Sequence, residues 1–291
     1  MEIIISVLEQ GLIYAIAALG IYITYKILDF PDLTADASFA LGAAITSVLL
    51  LKNINPLLCI IISTVFGFLA GAITGIIHIK FKVRDLLAGI ITMMALYSIN
   101  LRIVGKANVT LMNTNSIFDT FNIGSISNIV MLLIITIIIK VIFDLYFKTK
   151  SGYLLKAVGS NPNVVISLGR NDGNIKILGL AIGNSLVAIS GSLLCQQQGF
   201  FEITMGNGVM VMALASVIIG ISIFKNIKYV SNTSSVIIGS IIYKACVSIA
   251  LYIGFEASDV KLITAILFLV VLISSSNKIF EKRERRKSWL D

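Results

Sequence analysis

The sequence predicts an all-α, polytopic transmembrane bundle of about eight to nine spans, and three observations carry that prediction. Apolar residues make up 57% of the 291 and charged residues only 13%, against roughly 45–50% and about 25% in a typical soluble domain. They fall in runs of roughly 15 to 24 separated by short polar loops, the length that a hydrocarbon layer about 30 Å thick demands. Stretches such as 129–139, IVMLLIITIII, are apolar on every face, which excludes membrane strands with their alternating lipid-facing and lumen-facing positions.

Taken in order, nine apolar segments lie near 3–25, 36–52, 57–79, 86–104, 127–147, 175–196, 208–224, 234–254 and 260–275. No Lys or Arg precedes the first, and it leads straight into further apolar segments, so it reads as a retained helix and not a cleaved leader. The chain 1–291 is expected to form a single transmembrane domain, with one long polar loop at 148–176 and a basic tail at 277–291. Cys59, Cys195 and Cys246 sit in apolar surroundings without metal-ligand spacing, and read as small buried apolar residues.

The formal charge of +8 invites a nucleic-acid reading until its placement is considered. Cytoplasmic loops carry the excess of Lys and Arg. Lys80, Lys82 and Arg84 mark one inside loop; Lys148, Lys150, Lys156, Arg170 and Lys176 mark another; Lys225 and Lys228 mark a third. The tail with Lys278, Lys282, Arg283, Arg285, Arg286 and Lys287 is also inside. The intervening loops carry Lys52, Lys106 and Lys261 with Asp119, Glu202, Glu256 and Asp259, and read as external. The sides alternate correctly from residue 57 to the end. If segments one and two both cross, the N-terminus is outside; if 36–52 only dips into the membrane, it is inside. The lack of early basic residues favours outside.

With an external N-terminus, segments one to four and six to nine run in opposite senses about segment five, the layout of an inverted repeat. Residues 33–50 lie ungapped on 203–220, pairing Leu33 with Ile203, Thr34 with Thr204, Ala43 with Ala213 and Thr46 with Ser216. Few identities result.

Polar groups at membrane depth are costly, so they face a cavity, a partner helix or a water path. The stretch LDFPDLTADASFALG (28–42) places Asp29, Asp32, Thr34, Asp36 and Ser38 beside Pro31. One reading is a half-helix whose N-terminus faces a solute path, capped by Asp36 or Ser38; the other is an ordinary cytoplasmic turn. Segment six adds Asn184, Ser185, Ser190 and Ser192, small and polar enough for close helix contacts, and ends in Gln196, Gln197 and Gln198 near the outer mouth. Lys244 lies too deep in segment eight for a plain interfacial anchor, and must pair, snorkel or face water. Lys140 and Asp144 stand one turn apart as a local ion pair. His78, the sole histidine, reads as an interface anchor, since a metal site needs more ligands.

The inside loop 148–176 contains its own helix. Asn161 followed by Pro162 is a cap followed by proline at the first helical position, and Gly169 supplies a left-handed stop. Val164, Val165, Ile166 and Leu168 between them give it an apolar side, which asks for a protein partner or for the lipid surface. No phosphate-binding GxxxxGK[ST] loop occurs, and no nucleophile–base or paired-carboxylate arrangement is evident. Any energy source therefore belongs to another chain.

The blocks GLIYAIAALGIYITYKILDFPDLTADASFALGAA (11–44), LLAGIITMMALYSINLRIVGKAN (86–108), SGYLLKAVGSNPNVVISLGRN (151–171) and LGLAIGNSLVAISGSLLCQQQGFFEITMGNGVMVMALASVIIG (178–220) together resemble permease subunits of ABC importers of the branched-chain amino acid type. They are most similar to the branch encoded with tryptophan- or tyrosine-type solute-binding lipoproteins. The resemblance implies a multi-pass bacterial cell-membrane permease with a cytoplasmic C-terminus. It further implies a small polar solute such as an amino acid, an extracytoplasmic binding lipoprotein, a second permease subunit as a homodimer, and a cytoplasmic ATPase that alone binds ATP. No cofactor, metal or catalytic residue is expected in this chain. Thr34, Asp36, Ser38, Asn184 and Gln198 are the expected pathway residues. Asn161, Pro162, Val164, Val165, Leu168 and Gly169 are expected at the ATPase, as a coupling helix. The chain departs from the family at Ile221, where members often carry an acidic residue. The rival readings are a secondary transporter driven by an ion gradient, which would use ionisable groups buried mid-span, and a membrane-embedded enzyme, for which no catalytic cluster is visible.

Overall fold

A computed structural model describes residues 2–112, 114–119, 125–225, 227, 230–256 and 259–287, apart from the side chains of 2, 125–127 and 274–287. Each predicted apolar segment is a helix: α1 (Glu2–Ile21), α2 (Thr34–Leu51), α3 (Pro56–Lys80), α4 (Asp85–Val104), α5 (Ser125–Tyr146), α8 (Asp172–Gln198), α9 (Val209–Phe224), α10 (Asn232–Ile253) and α11 (Val260–Lys287). Among the described residues seven helices are long and apolar enough to cross a membrane, while Val209–Phe224 and Val260–Ile273 are shorter apolar helices. Lys228, one of the predicted inside markers, lies outside the described residues, as do the side chains of the basic tail.

Three features were not predicted. The polar loop 148–176 holds a further helix, α6 (Lys150–Ser160), ahead of the expected α7 (Pro162–Ser167), and two short strands, β1 (Asn108–Thr110) and β2 (Phe200–Glu202), pair antiparallel with Val109 opposite Phe201. In addition, the first span ends in a π-helix, Tyr22–Ile27. The Leu28 N–H reaches back to the Ile23 carbonyl at 2.9 Å and the Phe30 N–H to that of Thr24 at 2.9 Å, wider turns of the kind found at functional sites.

α8 and α2 form the centre: 78% of each apolar window is buried within the protein, against 22% for α5, which leaves α5 at the lipid boundary. α8 packs against α3, α2 and α1, and α10 packs against α9 and α1. The contacts are backbone-close. A Cβ on Gly71 would collide with the Leu180 carbonyl oxygen, and one on Gly42 with that of Ala188. Without a hydrophobic drive between helices in lipid, such small-residue contacts and the hydrogen bonds across them supply the association.

The packing repeats under the shift of 170 positions that lays 33–50 on 203–220. Gly11 of α1 abuts Ile241 of α10, and the shifted pair, Ala181 and Gly71, is also in contact. Gly20 abuts Gly183, and the shifted pair is Ser190, whose hydroxyl donates to the Ile13 carbonyl at 2.7 Å. The Met210 N–H donates to Asp36, and its shifted counterpart brings Gly206 against the Ala40 nitrogen. Within α1 and α8 the contact partners run in opposite directions. Such a recurrence of contacts is what the expected inverted repeat would produce.

Candidate functional site

The stretch 28–42 builds the first polar centre. α2 begins at Thr34, two residues earlier than predicted, so Asp36 and Ser38 lie inside the helix and do not cap it. Asp32 serves that end, its Oδ1 accepting the Thr34 N–H at 2.9 Å. Asp32 Oδ2 accepts from Asn184 Nδ2 at 2.6 Å, and Asn184 Oδ1 accepts from Ser38 Oγ at 2.7 Å. Thr34 and Thr74 hydroxyls meet at 2.8 Å. Asp32, Thr34, Ser38, Thr74 and Asn184 are all buried. The network thus joins α2, α3 and α8 through partnered groups, the condition under which a buried carboxylate is tolerated.

Asp36 caps a different helix. Its carboxylate accepts the N–H groups of Gly208 at 2.9 Å and Met210 at 2.7 Å, where α9 starts from a left-handed Gly208 and has no side-chain cap of its own. An anion there also complements the helix dipole. The N-termini of α2 and α9, one from each half, are thereby tied together.

Of the five predicted pathway residues, Thr34, Ser38 and Asn184 come together inside the protein, Asp36 stands one turn away on the α9 terminus, and Gln198 stands apart. Gln198 lines a cavity of about 330 Å³ between the ends of α2 and α8 and residues of the loop from Leu111 to Asp119, at the end of the bundle that the placement of Lys and Arg predicts to be outer. There the Gln196 Oε1 accepts the Ile117 N–H at 3.0 Å and Gln197 donates to Glu9 Oε2 at 2.8 Å, while the buried Gln196 Nε2 and Gln197 Oε1 have no partner among the described residues. Asp119 lines the same cavity, and hydrogen bonds from the Ser116 side chain and N–H hold its carboxyl below the usual range. Sequence reasoning passed over Asp32 and Thr74 as site residues. The first was signalled by its place two residues before a helix start, the second by a threonine inside an apolar span.

Among the described residues Lys244 pairs with no acid. Its Nζ lies 3.8 Å from the centre of the Tyr14 ring and 3.4 Å from Gln10 Oε1. Tyr14 in turn stacks on Phe39, with centroids 5.8 Å apart and planes 9° from parallel. Lys140 behaves as expected, meeting Asp144 at 2.9 Å. His78 Nδ1 lies 2.8 Å from the Val83 carbonyl oxygen, and among the described residues no group of three or more metal-ligating side chains occurs.

In the loop 148–176, α7 forms where Asn161 and Pro162 predicted it. The Asn161 side chain accepts the Asn163 N–H at 3.1 Å, and Gly169 is left-handed with φ of 69°. Its apolar residues divide. Val164, Ile166 and Leu168 are 46%, 56% and 64% exposed, whereas Val165 is 0% exposed. Val165, expected with the others at the ATPase, is packed in the core cluster and pins α7 to the bundle. Beside α6 lies a second cavity, of about 560 Å³, lined by the π-helix, the start of α10, and Lys148 and Lys156. Lys156 is held over the Phe147 ring at 4.7 Å.

The chain is 46% identical to a protein named "Tyrosine transport system permease protein" from Clostridioides difficile, over 98% of this chain and 95% of that one. It is 27% identical to a ribose import permease of Haemophilus influenzae over 75% of this chain and 68% of the relative. Its fold is similar to that of the solved structure "PsaBC from Streptococcus pneumoniae in complex with Fab", with a TM-score of 0.54, 16% identity, and coverage of 91% of this chain and 89% of that one. A family model described as the permease component of branched-chain amino acid transport systems matches residues 3–273. Permeases of this kind are non-catalytic membrane subunits, and ATP is hydrolysed by a separate subunit. With nearly the whole chain matched, this multi-pass membrane protein belongs to that branched-chain amino acid transport system permease family.

Proposed function

We propose that this chain is the translocation subunit of an ABC importer for an amino acid, with a tyrosine-like solute as the first choice. The observation that carries the reading is the 46% identity, end to end, with a relative named for tyrosine transport. In this reading residues 1–291 act as one permease domain in a bacterial cell membrane, with the C-terminus on the cytoplasmic side as the placement of Lys and Arg favours. An extracytoplasmic binding lipoprotein delivers the solute at the outer cavity beside Gln198, and a second copy of the chain completes the pathway.

The cytoplasmic ATPase docks on α7. A capped helix that presents Val164, Ile166 and Leu168 to water supports this role, since an exposed apolar stripe held outside the membrane gains by burial against a groove. Asn161, Pro162 and Gly169 set its ends, and Val165 ties it to the bundle. Movement of α7 reaches the α2–α9 contact through the core. Thr34, Ser38 and Asn184 then act as a seam that re-forms between inward and outward states, with Asp36 moving with the α9 terminus. Alternating access of the two halves is the resulting mechanism.

The test is uptake of radiolabelled tyrosine into vesicles containing the permease, its ATPase and the binding protein, with ribose as a competing solute. ATP-dependent tyrosine accumulation unaffected by ribose is expected. Accumulation against a gradient by the permease alone, without any nucleotide-hydrolysing subunit, would overturn the reading.

A further inference from the structure

An uncompensated cation inside a membrane span is costly, and Lys244 is one. Both ion pairs found among the described residues, Lys140 with Asp144 and Lys176 with Asp172, lie elsewhere. The Lys244 ammonium has a ring face on one side and one amide oxygen on another, which leaves an N–H direction and the full charge unanswered. Lys244, Tyr14 and Gln10 are each only partly buried in the isolated chain, so the group looks out from the α1–α10 seam. Lipid is a poor neighbour for it, and a water-filled path or a facing subunit is a good one.

The group is also connected to the outer cavity. Gln197 lines that cavity and donates to Glu9, the residue before Gln10, and Gln10 accepts from Lys244. Two polar atoms at the start of this track, Gln196 Nε2 and Gln197 Oε1, are buried and without partners among the described residues. A donor and an acceptor without partners on two residues that line the cavity suit a solute that itself carries both, and the cation further along suits the negative end of that solute.

We propose that Lys244, seated over Tyr14 beside Gln10, binds the carboxylate of the transported solute after it leaves the outer cavity. The assignment rests on the amino-acid reading above and adds a specific group to it. Gln10 and Tyr14 are positioning residues that hold the ammonium without neutralising it.

The test measures binding of radiolabelled L-tyrosine and L-tyrosine amide to the full-length permease with its ATPase, reconstituted in nanodiscs without nucleotide. The two probes differ in the charge of one end. A charge-assisted contact corresponds to preference for tyrosine of about tenfold to a hundredfold. Lys244→Met removes the cation; Gln10→Glu keeps it and supplies an internal carboxylate at the position of the present 3.4 Å contact. Both are expected to abolish the preference by weakening tyrosine binding while leaving the amide unchanged, and Lys244→Arg is expected to retain it. Gln10→Glu keeps the test decisive if Lys244→Met fails to fold. Undiminished preference in either folded variant overturns the assignment and leaves the importer reading standing. Failure of the wild-type complex to bind either probe overturns the amino-acid reading and this assignment with it.

Discussion

The division of α7 into an outward stripe and one inward residue yields the sharpest contrast available in this chain. Val164, Ile166 and Leu168 keep 46%, 56% and 64% of their surface exposed. Complete burial of such a side chain contributes roughly 1.5–3 kcal/mol, so the exposed half of each is worth about 1 kcal/mol against a partner groove. Replacing Ile166 and Leu168 by Asp removes about 2 kcal/mol of that and adds the cost of drying a charge. The affinity for the ATPase should fall by about 30-fold or more. Val165→Ala acts on the other side of the helix. It opens a space in a core position with no exposed surface and should lower the stability of the permease by about 1–3 kcal/mol. Association with the ATPase by biolayer interferometry, read beside the unfolding midpoint of the permease in detergent, separates the two. Ile166→Asp/Leu168→Asp should weaken association at unchanged midpoint; Val165→Ala should do the reverse. If the double Asp variant binds within twofold of wild type, the docking assignment for α7 is wrong.

Other perturbations address the interior. Asn184→Leu leaves Asp32 Oδ2 and the Ser38 hydroxyl without the Asn184 partner and should destabilise the protein by roughly 3 kcal/mol, whereas Ser38→Ala should cost about 1 kcal/mol, both read from thermal unfolding in detergent. Asp36→Ala uncaps α9 and should cost about 1–2 kcal/mol, with amide exchange accelerating at Gly208 and Met210 before it does in α8; equal acceleration in both helices would contradict the local cap. Gly71→Val drives a side chain into the Leu180 carbonyl and should prevent accumulation of folded protein, while Gly105→Ala, with no atom within 4 Å of the added methyl but φ of 77°, should cost only about 1 kcal/mol.

The helices were legible because lipid leaves so few alternatives: each apolar run had to satisfy its own backbone, and each became a helix. The Asn161–Pro162 start and Gly169 stop of α7 were legible for the same local reason, being decided by neighbours in sequence. Roles fixed across long separations were not. Asp36 looked like a cap for its own helix because cap rules are local, yet it caps α9, at the far end of a 172-residue separation. Val165 looked equivalent to Val164 and Ile166, since in a helix this short periodicity does not say which side meets the bundle. Lys244 was recognisable as anomalous by depth alone, but its neighbours Gln10 and Tyr14 lie on a helix more than two hundred residues earlier in the chain.

The internal repeat gives these scattered groups a common logic. Under the shift of 170 positions Tyr14 corresponds to Asn184 and Thr74 to Lys244. The Tyr14–Lys244 contact of α1 and α10 and the region where Asn184 and Thr74 join the Asp32 network are therefore equivalent places in the two halves. Their chemistry is not equivalent. The one beside Asp32 contains a carboxylate whose two oxygens accept from Thr34 and Asn184, so it is closed; the other contains a cation whose neighbours leave its charge unbalanced, so it is open. A symmetric pair of closed centres would hold the halves together but offer nothing to a charged solute, and a pair of open ones would cost stability twice. One closed and one open centre lets the same helix geometry serve as a joint in one half and as a solute contact in the other. The consequence is directional: closing the open centre with an internal carboxylate should stabilise the protein and slow transport together, whereas opening the closed one through Asn184 should destabilise it without creating a second solute contact.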